Sequence, residues 1–400
     1  MNYDLIFFII FVIIIYIFFR KNRKKFEVQG KIFALYRTKL GLNLMQKISK
    51  YPRWLLHTFG ALGIFFGFAG MILIFWTLLQ GTLKLIFVKN AQPVLAPVLP
   101  GVSIPGLPIL SFWHWIISIF IVAVIHEFSH GFVACFHKIK IKSSGFAFLG
   151  PIPAAFVEPE EKELKKKSNY AQLSVFAAGA FSNIITGLLF FLILSFILTP
   201  SVNSMFEVNG VQIASLEEKY PAFLAGLKVG DNIAEINGIK ISNVQEFTDQ
   251  LKDKKPGDKV VIKTEKGLIY QITLEKNPNN VNRGYMGVTV SSVETVIKES
   301  IKSKYGIFLP HLLSWINTLF FWLSAISIGI ALFNLLPLGP IDGGRMFYTG
   351  LFALFKNEKK VKIMWTFVTY LIIVMIFVNL LPYLIRLFKF IFIPIIGLFS

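Results

Sequence analysis

Residues 126–130 read His126-Glu127-Phe128-Ser129-His130. On a helix, positions i and i+4 lie one above the other on one face, so both imidazoles can reach a single metal ion. Glu127, about 100° round such a helix, can reach a water at the metal's open position and act as its general base. The pattern recurs by chance, and its surroundings give it weight. The segment is apolar, and an ionisable group in hydrocarbon costs at least about 2.5–3.5 kcal/mol and by default marks function. Two histidines bonded to neighbouring helices would leave the glutamate between them unexplained. A metal also needs a third protein ligand. The best placed is Asp342, in Asn334-Leu-Leu-Pro-Leu-Gly-Pro-Ile-Asp342-Gly-Gly.

The elements that must hold these groups are membrane helices. The chain has 400 residues, of which 54% are hydrophobic and 16% charged, with 42 phenylalanines; a soluble domain carries roughly 25% charged residues. The net charge of +19 is expected to set topology, since the basic residues sit between apolar runs. Nucleic acid is not an expected partner, whereas the lipid bilayer is. The single cysteine, Cys135, excludes an intramolecular disulfide. The expected fold class is a polytopic α-helical membrane protein of about six spans with an inserted α+β domain.

Four regions follow. Residues 1–53 hold an anchor helix and a basic segment. Residues 54–202 hold membrane helices that include His126 and His130, residues 203–305 a polar domain, and residues 306–400 further membrane helices and a tail. Asp4 precedes the first apolar run and Arg20 to Lys25 follow it, the reverse of a signal peptide. Residues 20–53 carry eleven Lys/Arg against Glu27 alone and are expected in the cytoplasm, which puts residues 203–305 outside. From His311 to Phe355 is 45 residues, far more than a span of about 20 needs. Pro337 and Pro340 cannot continue a helix, so the helix should break inside the membrane, which is tolerated only beside protein or a water-filled cavity. At 1.5 Å per residue, His126 lies roughly 16–18 Å above Lys138, Asn183 roughly 18–20 Å above the start of its span, and Asp342 about 21 Å above Lys356. All three belong to one level. The tail, Pro382 to Ser400, reads as interfacial or packed on the bundle.

Taken together, HEFSH in one span, NLLPLGPIDGG in a later one and a PDZ-like sequence between them resemble the site-2 protease family of intramembrane metalloproteases, over residues 112 to 350. The resemblance implies one Zn²⁺ per chain held by His126, His130 and Asp342, with Glu127 as catalytic base. Asn183, in Gly179-Ala-Phe-Ser-Asn183, resembles the asparagine of a family motif that often carries a proline, absent here. For Asn183 and Asn334, contact with substrate or transition state and simple interhelical hydrogen bonding are both open. The segment Lys142 to Val157, with Gly145, Gly150, Pro151 and Pro153, resembles a β-hairpin that dips into the membrane, with an ordinary loop as the alternative.

Within the inserted domain, Pro221 to Ile233 followed by Asn237-Gly238 resembles the PDZ signature of bacterial-type proteases. Ser242 or Asn243 should cap a helix over Val244 to Leu251. Tyr285, Met286, Gly287 and Val288 resemble a carboxylate-binding loop and the start of a peptide-pairing strand; a size-excluding cap without peptide specificity is the alternative.

The expected function is zinc-dependent hydrolysis of transmembrane protein substrates, in a prokaryotic cell membrane with the PDZ-like domain outside. One rival is a catalytically silent membrane-protein binder, against which Glu127 argues. The other is a metal or ion transporter, for which paired repeats would be expected and none is evident.

The topology gives a first prediction. After Cys135→Ser, cysteines placed at Ser49 and Ser242 should be labelled from opposite sides of the membrane. Labelling of both by an impermeant reagent on intact cells would refute the map.

Overall fold

The computed structural model describes residues 3–29, 33–89, 91–100, 107–149, 152–278 and 280–396. Two compact units emerge: residues Met1–Leu194 with Thr318–Ser400, and Ser195–Asn317.

In the first unit, α1 (Tyr3–Lys21) packs on α4 (Phe112–Phe136), where Asp4 Oδ1 accepts the Phe112 N–H at 2.8 Å. An acceptor at a helix N-terminus satisfies one of its orphan donors. Strands β1 (Phe26–Gln29) and β2 (Phe33–Thr38) follow, then α2 (Leu42–Ile48) and the 35-residue α3 (Arg53–Phe87). After α4 come β3 (Ile141–Leu149), β4 (Ile152–Pro159), α5 (Glu161–Lys165) and α6 (Asn169–Ile193). Among the described residues, five helices are long and apolar enough to cross a membrane: Arg53–Phe87, Phe112–Phe136, Asn169–Met205, Phe308–Asn334 and Glu358–Arg386. The chain is a multi-pass membrane protein.

Strands β3 and β4 pair antiparallel; Gly150 and Pro151, between them in sequence, lie outside the described residues. The two strands are half of a four-stranded antiparallel sheet ordered β1-β2-β3-β4. The other half comes from residues 26–38, which the charge pattern identified only as a basic topogenic stretch. Phe33 pairs with Leu149 and Thr38 with Ser144. At Gly145 a Cβ would stand 2.1 Å from the Tyr36 carbonyl oxygen, so this pairing admits no side chain there. Arg37 ties the sheet across its width. Its guanidinium bonds Glu27 at 2.7 Å, Ser143 Oγ at 2.6 Å, and the Glu158 carboxylate.

The second unit opens with α7 (Thr199–Met205), β5 (Phe206–Leu216) and α8 (Pro221–Leu224). Strands β6 (Asn232–Ile236) and β7 (Ile239–Lys240) turn through Asn237 and Gly238, both at positive φ as a tight two-residue hairpin requires. Helix α9 (Val244–Leu251) is capped by Asn243, whose side chain accepts the Glu246 N–H, while the Glu246 carboxylate accepts the N–H of Ser242, the residue before the cap. Strands β8 (Lys259–Thr264), β9 (Ile269–Thr273), β10 (Glu275–Asn277), β11 (Asn280–Tyr285) and β12 (Val288–Ile297) complete it, with α10 (Glu299–Tyr305) after them. The main sheet runs β12-β5-β6-β8-β9, with β7 on β6. Phe247 of α9 closes its core over Ile213, Ile236 and Ile262.

Helix α11 (Phe308–Asn334) ends before the prolines, and α12 (Asp342–Phe355) begins at the aspartate itself. The non-helical backbone between them packs on Gly343 and Gly344. A Cβ on either would stand 2.4 Å from a backbone oxygen, of Leu335 and Leu336 in one case and Leu338 in the other. Two side chains of α13 (Glu358–Ile396) serve the break: Thr369 accepts the Gly339 N–H at 3.2 Å, and Trp365 Nε1 donates to Gly344 O at 2.9 Å. Helix α13 continues through Pro382 rather than ending there, so the described tail is helical. Residues 397–400 lie outside the described residues.

Gly145→Val should therefore separate β2 from β3, at a cost of about 1–3 kcal/mol for a side chain with no room. Hydrogen exchange read by mass spectrometry should show faster exchange in residues 33–38; unchanged protection would contradict the pairing.

Candidate metal centre

Helix α4 starts where the Ser111 side chain accepts the His114 N–H, and it runs apolar to Phe136. Its inward face carries His126 and His130, both buried. Asp342 comes to them from the first turn of α12, where the helix N-terminus favours a carboxylate. The three ligand atoms form a small triangle. His126 Nε2 and His130 Nε2 are 3.2 Å apart, and each lies 3.1 Å from Asp342 Oδ2. A tetrahedral ion with arms of about 2.0–2.1 Å places its ligand atoms about 3.3 Å apart. The triangle is close to one face of that tetrahedron, with the fourth corner left for water or substrate.

The partners behind the ligands fit the same reading. His130 Nδ1 lies 2.7 Å from the Val175 carbonyl oxygen of α6. A carbonyl only accepts, so Nδ1 carries the proton and Nε2 keeps its lone pair toward Asp342. Between the ligands and α6 there is no room for a side chain. A Cβ on Gly179 would stand 2.4 Å from His130 Nε2 and 2.6 Å from His126 Nε2. Two imidazoles, one carboxylate and a cradle that a methyl group would fill are what a zinc ion requires.

Glu127 follows His126 on α4, and its Oε2 accepts the Val157 N–H of β4 at 2.9 Å. His126, Glu127, His130, Val157, Asn334 and Asp342 all line one cavity of about 800 Å³. Its remaining lining includes Arg37, Lys142, Glu158 and Arg345, a polar route by which water can reach the buried groups. The Asn334 amide donates to the Ile330 carbonyl of its own helix at 3.1 Å. Asn183 is fully buried, beside His126, and is not part of the cavity wall.

The four consecutive residues singled out in the second unit have different surroundings. Met286 is buried in the core, and Val288 pairs with Leu216. Tyr285 donates its hydroxyl to Glu217 at 2.6 Å; this bond, with burial and the Glu217 charge, pushes its pKa up to about 12. Gly287 has φ +78°, and a Cβ there would strike Tyr220 at 2.1 Å, so a side chain at this position disturbs the loop's own packing rather than a groove. A cleft of about 820 Å³ in this unit is lined by Glu207, the start of α9 and Ser292.

Three contributors went unseen in the sequence. The Val175 carbonyl has no sequence signal, because any residue supplies one. Val157 was inside the expected hairpin but nothing marked its N–H. Arg37 was counted as one topogenic charge among eleven, although the alternating Phe33–Thr38 around it is strand-like.

These features match a membrane-embedded metallohydrolase site of the H-E-x-x-H type with a distant carboxylate as the third candidate ligand. The model of peptidase family M50 matches residues 114–378, and the chain belongs to that family, the site-2 protease family of zinc metalloproteases. It is 31% identical over 348 residues to an uncharacterized protein of Methanocaldococcus jannaschii, MJ0971, covering 84% of this chain and 82% of that one. Zinc metalloprotease RasP of Shouchella clausii is 26% identical over 234 residues, or 49% of this chain and 54% of the relative. A PDZ domain of the SdrC-like protein of Listeria innocua is 31% identical and covers 22% of this chain and 98% of that one, with a TM-score of 0.19.

Gly179→Ala should push the two imidazoles apart. Zinc content of the purified protein, read by plasma mass spectrometry, should fall well below that of the wild type, and equal content would show that the cradle is not needed.

Proposed function

We propose that the protein hydrolyses peptide bonds of transmembrane substrates within the bilayer, in regulated proteolysis of membrane-anchored proteins. The observation that carries the reading is the convergence of His126, His130 and Asp342 on one point beside Glu127, inside a polar cavity framed by apolar helices. His126, His130 and Asp342 would hold the zinc. When bound, that ion supplies Lewis acidity at the scissile carbonyl and makes water a nucleophile near neutral pH.

Glu127 is the proton carrier. Its carboxylate takes a proton from the attacking water and delivers it to the leaving amine, so that one group serves both halves of the hydrolysis. The Val157 N–H fixes one of its oxygens and leaves the other for this transfer. A transmembrane helix hides its own backbone, so a substrate segment has to unwind before cleavage. Among the described residues, β4 pairs with β3 on one side only, and its other edge can hold an unwound segment by strand addition. Asn334 lines the cavity, which supports a role for it in contact with bound substrate.

The basic-residue pattern puts the PDZ-like unit outside and the zinc site nearer the cytoplasmic side. The unit then supplies no catalytic group, and its role is to select substrates whose external part is already short. A catalytically silent binder and a transporter are separated from this reading by one set of measurements. Purified protein should hold about one zinc per chain and cut a tagged transmembrane peptide, and a chelator should stop it. Glu127→Gln should keep its zinc and lose at least about 100-fold in rate, the lower end of what a general base contributes. Full activity of that variant would remove Glu127 from the mechanism; zinc without cleavage in the wild type would favour the rivals. With residues 206–297 replaced by a flexible linker, substrates with large external domains should be cut faster than by the intact protein. An unchanged preference for trimmed substrates would show that the unit is not the filter.

A further inference from the structure

We propose that Asn183 is a positioning residue of the metal centre: its side-chain oxygen accepts the Nδ1–H of His126 and fixes the tautomer that turns Nε2 toward the metal. The inference rests on the zinc reading above and concerns how one ligand is held.

The starting observation is a mismatch. Asn183 Nδ2 lies 3.2 Å from His126 Nδ1, while Asn183 Oδ1 is buried with no hydrogen-bond partner. His126 Nε2 faces His130 Nε2 and Asp342 Oδ2, so Nε2 is the atom that meets the ion and must keep its lone pair. A neutral imidazole has one N–H, which then sits on Nδ1. With the amide nitrogen next to it, two donors would face each other. A half-turn of the amide exchanges its two ends. It brings Oδ1 to the Nδ1–H and gives the orphaned oxygen its partner.

The second ligand has the corresponding bond already. His130 Nδ1 donates to the Val175 carbonyl at 2.7 Å. Both acceptors therefore come from α6, at positions 175 and 183, with Gly179 midway between them and flat against both rings. One helix sets the tautomer and the orientation of both imidazoles, as outer partners of metal-bound histidines do. Its register is itself pinned from α11, where Ser327 Oγ donates to the Asn183 carbonyl at 2.9 Å. Asn183 is absent from the cavity wall, so this role, not contact with substrate, is the one its position allows.

The test is zinc affinity, measured by chelator competition on purified full-length protein, with His126→Ala as the ligand-loss control. Asn183→Leu keeps the shape and removes the acceptor, and should raise the zinc Kd about 10–100-fold. Asn183→Asp keeps an acceptor and should bind zinc at least as tightly as the wild type. Melting of the chelator-treated proteins reports packing alone: a merely structural asparagine would lower that melting temperature and leave the Kd where it was. Asn183→Ala serves the same comparison if the leucine variant does not fold. Wild-type affinity in Asn183→Leu and Asn183→Ala overturns the inference, and so does equal loss in Asn183→Leu and Asn183→Asp. A wild type without zinc affinity would overturn the zinc reading itself, before any variant is compared.

Discussion

Two imidazoles and two carboxylates set among hydrocarbon are the constraint on which the rest of the first unit depends. Each ionisable group at that depth costs at least about 2.5–3.5 kcal/mol unless it is paired or hydrated. The surroundings offset this in three ways. Ligand atoms are paired with one another across α4 and α12. Backbone groups of α6 and β4 take up His130 Nδ1 and Glu127 Oε2. The polar wall of the cavity, with Arg37 and Glu158, provides a route for water. The helix break between α11 and α12 belongs to the same solution, because it delivers Asp342 at a helix N-terminus whose own backbone groups are met by α13.

Much of this was legible in the sequence because its signals are local. HEFSH carries its own spacing, and Pro337, Pro340 and the two glycines before Arg345 announce a break with an acid at its edge. Depth along each helix follows from counting residues. What counting could not give is which backbone group faces which side chain. The Val175 carbonyl and the Val157 N–H are chemically the same in every sequence, and only packing selects them. The Asn183 amide was visible as a polar group in an apolar helix, but its neighbour at His126 depends on the rotation of α6 against α4.

The basic stretch after α1 shows a different limit. Its charge density dominated the reading, and charge sets topology whatever the backbone does. The pairing of Phe33–Thr38 with Ser144–Leu149 joins segments more than a hundred residues apart, and no local pattern encodes such a partner. Arg37 is where the two meanings meet: one more positive charge in the sequence, and in the structure the tie between β1, β3 and β4 as well as part of the cavity wall.

Asp342 lies 216 residues beyond His126 and 212 beyond His130, and this distance has a consequence in time. At about 5–20 residues per second, a ribosome that has just finished the histidine helix needs roughly 10–40 s to supply the aspartate. Through that interval the nascent chain displays Glu127 and two imidazoles without the third arm of the triangle. The three candidate ligands can therefore meet only once α12 has been made, with α13, whose Thr369 and Trp365 meet the break, later still. On the zinc reading, a chain still lacking Asp342 has two of its three candidate ligands, so order of synthesis alone would delay assembly of the centre.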